Sequence, residues 1–287
     1  MARAAVAASV REALAAAVDA LAAAGVASPR LDAELLLAAA MESDRAALVA
    51  DAERGVEAAV ARRFGEMVRR RVAREPVAYV LGRKGFRHLE LGVDRRALIP
   101  RPETELLVEI AVESPGRRML DVGTGSGAVA LAIADERRDA ELVACDTSEA
   151  ALSLARENAA RLGLEGRVRF VRAPFPAGER FDLVVANLPY VAEREWEGLA
   201  PEITRYEPRE ALVPGPTGLE AIIGLVRALE GGAVAADAVT LEVGVGQAAE
   251  VTGLLRAAGM RTATRRDLAG IERVVVGRRD ERDRPPE

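Results

Sequence analysis

Short apolar runs alternate with amphipathic stretches from Pro102 onward, and this alternation constrains the fold more than any other feature. The runs that predict strands are residues 119–122, 141–146, 168–172, 181–187, 239–245, 262–266 and 272–277. The stretches that predict helices include residues 128–134, 148–162, 218–229 and 247–258. Such alternation favours an α/β fold with a mostly parallel sheet covered by helices on both faces. The last two strands are too close in sequence for a helical connection, so we expect an antiparallel hairpin there.

The first 75 residues show helical periodicity and predict a small bundle. Ser9-x-x-Glu12 is a capping box that predicts the start of a long helix. Ser28-Pro29 predicts a second helix with proline at its first position. Ser43 is expected to open a third helix. A fourth helix, ended by a proline at position 76, is predicted from the spacing of Val56, Val60, Phe64 and Met67.

Residues 82–100 change from helical to strand periodicity. Leu89, Leu91 and Val93 alternate with polar residues and glycine, which indicates a β-hairpin with Phe86 and His88 on its preceding arm. The charged, proline-bearing end of the chain is expected to be disordered. The predicted organisation is a helical domain (1–75), a linker with the hairpin (76–101), an α/β domain (102–279) and a tail (280–287).

Composition excludes several classes of site. One cysteine, Cys145, and one histidine, His88, among 287 residues rule out an intrachain disulfide and metal sites built from several cysteines or histidines. We interpret His88 as structural and Cys145 as a small, unreactive side chain within the sheet. A net charge of −5 does not favour nucleic acid, and no apolar run reaches the ~18 residues of a membrane span. We therefore expect no metal, no membrane association and a reducing cytoplasm.

The segment Asp121-Val122-Gly123-Thr124-Gly125-Ser126-Gly127 ends one predicted strand and precedes a helix. Glycines permit positive φ and allow a ligand to approach the backbone. Ligands of open α/β sheets bind outside the carboxyl ends of the strands, so the position suits a nucleotide-like cofactor. The same residues also satisfy the relaxed dinucleotide fingerprint, and a purely structural turn is a further alternative. Asp121 could brace this loop rather than contact a ligand.

Asp146 ends the next predicted strand, nineteen residues past Gly127. A carboxylate at this position can accept hydrogen bonds from both hydroxyls of an adenosine ribose. The alternative is a helix N-cap for the segment that begins near Ser148.

The fourth predicted strand of the α/β region runs into Asn187-Leu188-Pro189-Tyr190. This tetrapeptide brings a side-chain amide oxygen, a backbone carbonyl and an aromatic face to the same edge as the glycine loop. Two acceptors and a ring suit a planar NH2 group, so methylation of a planar nitrogen explains the motif better than hydride transfer does. A polar turn without a chemical role is the remaining alternative.

With these motifs the chain resembles the seven-stranded S-adenosylmethionine-dependent methyltransferases and, within them, the release-factor glutamine methyltransferases (HemK/PrmC family). The resemblance covers essentially the whole chain. Its most specific segments, besides the tetrapeptide, are residues 76–82, 93–94 with 98–105, and 206–212 with 218–220.

The resemblance implies a seven-stranded Rossmann-like sheet, an N-terminal bundle that recognises the substrate, and S-adenosylmethionine as cofactor. It implies methylation of the glutamine side-chain amide in the Gly-Gly-Gln tripeptide of class I peptide chain release factors, without direct nucleic-acid binding. The implied catalytic residues are Asn187, Leu188, Pro189 and Tyr190. The implied cofactor-binding residues are Asp121, Gly123, Thr124, Gly125, Ser126, Gly127, Asp146, Phe175 and Asn187.

Two departures from the family pattern keep alternatives open. Leu188 stands where the family usually has proline, and Pro174-Phe175 replaces an acidic residue followed by an aromatic one. Adenine-N6 methylation of RNA or DNA is the runner-up activity, because the tetrapeptide also has the form typical of those enzymes. A non-catalytic adaptor and a nicotinamide dehydrogenase are weaker alternatives. A solvated face or an acidic partner would each explain the arginines at positions 62, 63, 69, 70, 71 and 74.

Overall fold

A computed structural model describes residues 8–280, which form two compact units. Unit 1 comprises residues 8–82 and 200–206, and unit 2 comprises residues 83–199 and 207–280. Residues 200–206 therefore belong to unit 1, although they lie within the range 102–279 that was predicted as one continuous α/β domain. The predicted tail, apart from Asp280, lies outside the described residues.

The helices and strands are numbered along the described part of the chain. The helices are α1 (Val10–Ala23), α2 (Pro29–Ala40), α3 (Arg45–Ala50), α4 (Ala58–Val72), α5 (Val77–Leu81), α6 (Glu105–Glu113), α7 (Ala128–Glu136), α8 (Glu149–Arg161), α9 (Pro201–Tyr206), α10 (Glu220–Glu230) and α11 (Ala248–Ala257). The strands are β1 (Arg83–Phe86), β2 (Leu89–Gly92), β3 (Arg118–Val122), β4 (Glu141–Asp146), β5 (Val168–Arg172), β6 (Glu179–Ala186), β7 (Val234–Glu242), β8 (Arg261–Arg266) and β9 (Glu272–Arg278).

Of the three helix starts that were predicted at Ser9, Pro29 and Ser43, the first two are confirmed. Ser9 caps α1 and forms the expected capping box with Glu12, and Pro29 occupies the first turn of α2. The prediction for Ser43 was wrong, because α3 is capped by Asp44, whose carboxylate accepts from the backbone N–H of Ala47 at 2.8 Å. The Asp44 carboxylate, one residue nearer to the helix than Ser43, thus accepts a hydrogen bond from a backbone N–H of the first turn.

The boundary around Pro76 also differs from the prediction. Helix α4 begins after Val56 and ends at Val72, before the proline. Pro76 instead precedes the short helix α5, which occupies part of the expected linker. Leu21, Leu37 and Phe64 are buried in the apolar core of unit 1.

Most arginines of the predicted basic face have partners inside unit 1. Arg71 is buried and donates to Asp32 at 2.7 Å and to Glu202 of α9 at 2.8 Å. Arg74 donates to both carboxylate oxygens of Glu202 at 2.7 Å. Arg70 forms an ion pair with Glu75, and Arg63 forms one with Glu42. Arg71 and Arg74 therefore connect α9 to the rest of unit 1.

The predicted hairpin is present and belongs to unit 2. Strands β1 and β2 pair in antiparallel fashion, and Gly92 is joined to Asn158 of α8 by two hydrogen bonds of 2.7 and 3.0 Å. The same Asn158 donates to the carbonyl of Ser126, so it links the hairpin to the glycine loop. His88 lies in the turn rather than on the preceding arm.

The main sheet has seven strands in the order β5-β4-β3-β6-β7-β9-β8. All pairs are parallel except those of β9, which runs antiparallel to β7 and β8. The predicted seven-stranded α/β fold is confirmed. Strand β7 begins at Val234, five residues before its prediction, because Ala235 and Ala236 do not show the β-branched pattern that marks a strand.

Alternation along the strands divides the apolar residues between two cores. Leu183 and Val185 face the core that includes α6 and α7, whereas Val184 and Ala186 face the core that includes α10 and α11. Both faces of β6 are therefore buried, and its next residue, Asn187, emerges at the carboxyl edge.

Candidate functional site

A cavity of about 380 Å³ opens at the carboxyl ends of the parallel strands of unit 2. This volume falls within the usual range for small-molecule sites. The predicted residues that line it are Asp121, Gly123, Thr124, Gly125, Ser126, Asp146, Phe175, Asn187, Leu188 and Pro189. Gly127 and Tyr190, which were also predicted for the site, are not among the residues that line this cavity.

Glycine is required in the loop between β3 and α7. The φ angles of Gly123, Gly125 and Gly127 are +73°, +56° and +84°, in the left-handed region. A Cβ at Gly127 would lie 3.0 Å from Leu131 and 3.2 Å from the Cβ of Ala155, so its absence also permits close helix packing. The loop backbone therefore forms a cradle that residues with side chains could not form.

Asp121 braces this loop. It is 2% exposed, and its Oδ2 accepts from the Thr124 hydroxyl at 2.7 Å and from the Ala130 backbone N–H at 3.2 Å. Burial raises the pKa of this carboxyl to about 6. The bracing alternative for Asp121 therefore has geometric support, while its carboxylate still borders the cavity.

Asp146 is tied to the glycine loop. Its Oδ2 accepts from the Gly125 backbone N–H at 2.9 Å, and its Oδ1 accepts from that of Ser148 at 2.9 Å. Helix α8 is capped by Ser148, so Asp146 is not its N-cap. Each carboxylate oxygen can accept a further hydrogen bond from a ligand in the cavity.

Phe175 and Cys145 lie on the same side of the sheet. Phe175 is half-buried, packs on the core that includes α10 and α11, and presents part of its ring to the cavity. Cys145 is fully buried in that core, and burial raises the pKa of its thiol to about 12. The thiol is therefore protonated and inert, as the sequence predicted.

The amide of Asn187 is oriented by Thr104. Its Nδ2 donates to the Thr104 hydroxyl oxygen at 2.9 Å, which leaves Oδ1 as the acceptor available at the cavity. Leu188 is buried, and its Cδ2 would lie 3.2 Å from a Cβ placed on Gly123. The tetrapeptide and the glycine loop therefore pack directly against each other.

Tyr190 is held from several sides. Gln247 donates to its carbonyl at 2.9 Å, and a Cβ on Gly218 would lie 2.5 Å from that same oxygen. A Cβ on Gly244 would approach the ring within 3.1 Å. Burial, followed by the nearby Glu242, raises the pKa of Tyr190 to about 12, so its hydroxyl remains a donor.

The structure adds Thr104 and Glu242 to the residues that sequence reasoning selected. Glu242 is the last residue of β7, is 2% exposed and lies 3.4 Å from the Tyr190 hydroxyl. Burial raises the pKa of its carboxyl to about 7. A glutamate inside a predicted buried strand was the signal available in the sequence.

Glu207 joins two of the segments that carried the family resemblance. Its carboxylate accepts from Arg101 at 2.5 Å and from the backbone N–H of Ile99 at 3.0 Å. Arg101 also lines the cavity. The segments 98–105 and 206–212 are therefore parts of one wall of the site.

Residues 8–280 lack two kinds of feature. No group of three or more His, Cys, Asp or Glu side chains in that range is arranged to hold a metal ion. None of the helices there has the length and apolar character needed to cross a membrane.

Comparison with known proteins gives the family. Residues 12–82 match the family model described as the PrmC N-terminal domain, and residues 102–214 match the methyltransferase small domain. The chain is 38% identical over 270 residues to the release factor glutamine methyltransferase of Nitratidesulfovibrio vulgaris, covering 91% of this chain and 92% of the relative. The chain belongs to the release factor glutamine methyltransferase family. A Xylella fastidiosa member is 43% identical, covering 87% of this chain and 93% of its own.

Solved structures give the same fold. A methyltransferase from Pyrococcus furiosus has a TM-score of 0.50 at 15% identity, with 68% of this chain and 91% of that chain covered. The human Mettl16 catalytic domain in complex with an RNA hairpin also scores 0.50, at 17% identity, covering 77% of this chain and 85% of that chain. Membership in the release factor glutamine methyltransferase family makes the protein an S-adenosylmethionine-dependent methyltransferase, as the sequence predicted.

The cavity fits this cofactor. Its volume suits a nucleoside-sized ligand, its floor is the glycine cradle, and the carboxylates of Asp121 and Asp146 suit a positively charged sulfonium compound. Residues that would hold it are the loop from Gly123 to Ser126, Asp146 and Phe175.

Proposed function

We propose that this enzyme methylates the side-chain amide nitrogen of the glutamine in the Gly-Gly-Gln tripeptide of class I peptide chain release factors. The names of the curated relatives support release factors as substrates. The observation that carries the choice of an amide is the orientation of Asn187, whose nitrogen is engaged by Thr104. Its Oδ1 is thereby left to accept an N–H from a planar substrate.

The chemical difficulty is that an amide nitrogen is a weak nucleophile, because its lone pair is delocalised into the carbonyl. Bound S-adenosylmethionine supplies an electrophilic methyl group on a positively charged sulfur. Asn187 Oδ1 and the carbonyl of Leu188 accept the two N–H groups of the substrate amide. These bonds aim the nitrogen at the methyl carbon and stabilise the positive charge that develops on nitrogen.

The remaining steps need no dedicated base. With the cofactor bound, the methyl group would pass to the nitrogen lone pair, the electrons of the C–S bond would stay on sulfur, and one N–H proton would leave. Because a positively charged, methylated amide is strongly acidic, that proton can pass to water. We expect Tyr190 to pack against the amide plane when the substrate is bound, and Pro189 stiffens the segment that carries both acceptors.

We place the reaction in the cytoplasm, where release factors act on ribosomes, and assign no direct nucleic-acid binding. Four arginines of the basic face, Arg63, Arg70, Arg71 and Arg74, have carboxylate partners within unit 1. This use of the guanidinium groups argues against the phosphate-binding surface that an RNA or DNA methyltransferase would need.

The test is methyl transfer from radiolabelled S-adenosylmethionine to a purified release factor. Total RNA and a release factor with alanine in place of the tripeptide glutamine are assayed in parallel. Label is expected in the intact factor and absent from the alanine variant. Label in RNA instead would overturn the proposal in favour of adenine-N6 methylation.

Asn187→Ala provides the residue-level test. Loss of one preorganised group at a site of developing charge typically lowers a rate by about 10²–10³. Single-turnover kinetics at saturating cofactor should show this fall, because that measurement separates the chemical step from cofactor binding. A wild-type rate would contradict the assignment of the tetrapeptide as the amide-binding site.

A further inference from the structure

One buried side chain of α8 connects two walls of the cavity. Asn158 is 1% exposed. Its Nδ2 donates to the carbonyls of Ser126 and Gly92 at 2.9 and 3.0 Å, and its Oδ1 accepts from the backbone N–H of Gly92 at 2.7 Å. Arg161 donates to the same Oδ1 at 3.2 Å. An amide offers two N–H groups and two oxygen lone pairs, so every hydrogen-bonding position of Asn158 is used.

The first of these walls is the glycine loop. Ser126 is buried, lines the cavity and lies between Gly125 and Gly127, which both have positive φ. Because glycine restricts its own backbone very little, the shape of such a loop depends on contacts with its surroundings. Asn158 holds the carbonyl of Ser126, and Asp146 holds the N–H of Gly125. Side chains from α8 and β4 therefore support the loop at adjacent residues.

The second wall follows the β1–β2 hairpin. Gly92 ends β2, and residues 96–98 line the cavity shortly after it. The Cβ of Ala97 would lie 3.9 Å from a Cβ placed on Gly125, so the two walls are close together. A Cβ on Gly92 would lie only 3.0 Å from the Oδ1 of Asn158. Glycine at position 92 therefore allows the backbone to approach this amide.

The hairpin is also anchored at the far end of α7. Arg87 in its turn donates from Nε and Nη2 to the two carboxylate oxygens of Glu136, each at 2.8 Å. Glu136 is the last residue of α7, and the glycine loop directly precedes the first. The hairpin thus contacts the C-terminal end of this helix itself and reaches the loop at its N-terminal end through Asn158.

We propose that Asn158 is a positioning residue for the cofactor, which fixes the Ser126 carbonyl relative to the Gly92 backbone and so maintains the shape of the cavity that binds S-adenosylmethionine. Asn158 is not among the residues that line the cavity, so it acts through these two partners. The inference goes beyond the proposed function, because it concerns the cofactor and does not depend on the methyl acceptor.

Asn158→Asp is the principal test, because it keeps the size of the side chain but replaces the donor nitrogen with an oxygen. That oxygen would face the carbonyls of Ser126 and Gly92 and repel them. Isothermal titration calorimetry should show at least a tenfold loss of affinity for S-adenosylhomocysteine, the scale of one to two lost hydrogen bonds. Hydrogen–deuterium exchange of residues 123–127 in the ligand-free protein should become at least about threefold faster.

Steady-state kinetics separates positioning of the cofactor from chemistry. In methylation of a release factor, the KM for S-adenosylmethionine should rise at least tenfold in Asn158→Asp, while kcat stays within about threefold of wild type. A folded Asn158→Asp protein that binds S-adenosylhomocysteine with wild-type affinity would overturn the inference. The calorimetric result needs no methyl acceptor, so a wild-type enzyme that binds the cofactor but does not methylate release factors would overturn the proposed function alone.

The control for a general loss of stability is Leu255→Ala. Leu255 is fully buried on α11, in the same unit, and is not among the residues that line the cavity. Its truncation should lower the melting temperature but keep S-adenosylhomocysteine affinity within about threefold of wild type. Equal losses of affinity in Leu255→Ala and Asn158→Asp would show that Asn158 acts only through stability and would overturn the inference.

Variants at Gly92 test the same connection from its other side, including the case in which Asn158→Asp fails to fold. Gly92→Ala places a methyl group against the Asn158 amide and should weaken S-adenosylhomocysteine binding by at least about threefold. Asn158→Ala removes the amide and makes room for that methyl group. The double variant should therefore bind within about threefold of Asn158→Ala, whereas losses that multiply would contradict a shared connection.

Discussion

At the scale of single residues, Asp146 has two tasks. It holds the backbone N–H groups of Gly125 and Ser148 while facing the cavity at the end of β4. A substitution there would remove a ligand contact and also weaken the support of the glycine loop. We therefore expect it to lower cofactor affinity more than it lowers the rate of the chemical step.

Asp146→Ala is expected to weaken S-adenosylhomocysteine binding by about 10–150-fold, since hydrogen bonds to a charged group contribute about 1.5–3 kcal/mol. Isothermal titration calorimetry measures this directly. Asp139→Ala removes a surface carboxylate near the opposite end of the same strand and serves as the control. Equal affinities for wild type and Asp146→Ala would exclude this residue from the cofactor site.

Sequence reasoning found the residues that lie in recognisable local patterns. Asp146 and Asn187 each stand at the end of a predicted strand, and the edge where parallel strands end is a property of the fold class. Thr104 and Glu242 were not selected, because they meet Asn187 and Tyr190 across 83 and 52 residues of chain. Hydrogen bonds over such separations depend on how distant segments pack together, which a local strand pattern does not specify.

At the scale of elements, α9 shows where local pattern is insufficient. Strands β4 and β5 have the predicted bounds, since β4 carries a continuous apolar run at residues 142–145 and β5 combines valine and phenylalanine with exposed arginines. The membership of α9 in unit 1 depends instead on Glu202 meeting Arg71 and Arg74, which lie about 130 residues earlier. Charge pairing over that distance leaves no periodic signal in either segment.

Glu202→Gln should destabilise unit 1. Removal of one member of a buried ion pair typically costs 3–5 kcal/mol, and because Arg71 keeps Asp32 we expect about 2–3 kcal/mol. Chemical denaturation at pH 7 measures the free energy of unfolding, with Glu197→Gln, which changes an exposed carboxylate earlier in the chain, in unit 2, as the control.

The pH dependence of that difference follows from the charge of Glu202. Burial raises the pKa of this carboxyl, but hydrogen bonds from Arg74 and Arg71 more than offset this effect and bring it to about 2. A depressed pKa stabilises the folded state above the unfolded value of 4.5. The difference between wild type and Glu202→Gln should therefore shrink as the pH falls from about 4.5 towards 2. A constant difference would indicate that the charge is not involved.

At the scale of the whole molecule, we expect the two units to divide binding and recognition. The glycine cradle, Asp146 and Asn187 all belong to unit 2, and the PrmC N-terminal match covers most of unit 1. We propose that unit 1 recognises the release factor and that unit 2 binds the cofactor without it.

A shortened chain tests this division. Residues 1–82 are removed and residues 200–206 are replaced by a short Gly-Ser linker, since Glu202 would otherwise lose both arginine partners. We expect S-adenosylhomocysteine affinity within about threefold of the full chain and kcat/KM for a release factor at least 10²-fold lower. Retention of full activity by the shortened chain would assign unit 1 some other role.

The return of the chain to unit 1 at α9 has a consequence for synthesis on the ribosome. Glu202 is translated about 130 residues after Arg71 and Arg74. At translation rates of about 5–20 residues per second, roughly 6–26 s separate the two. During that interval Asp32 can pair with Arg71, whereas Arg74 waits for its carboxylate. The first unit to emerge is thus completed only after β6 and the Asn187 segment have been made, so vectorial folding of this protein is not a simple sequence of one domain and then the next.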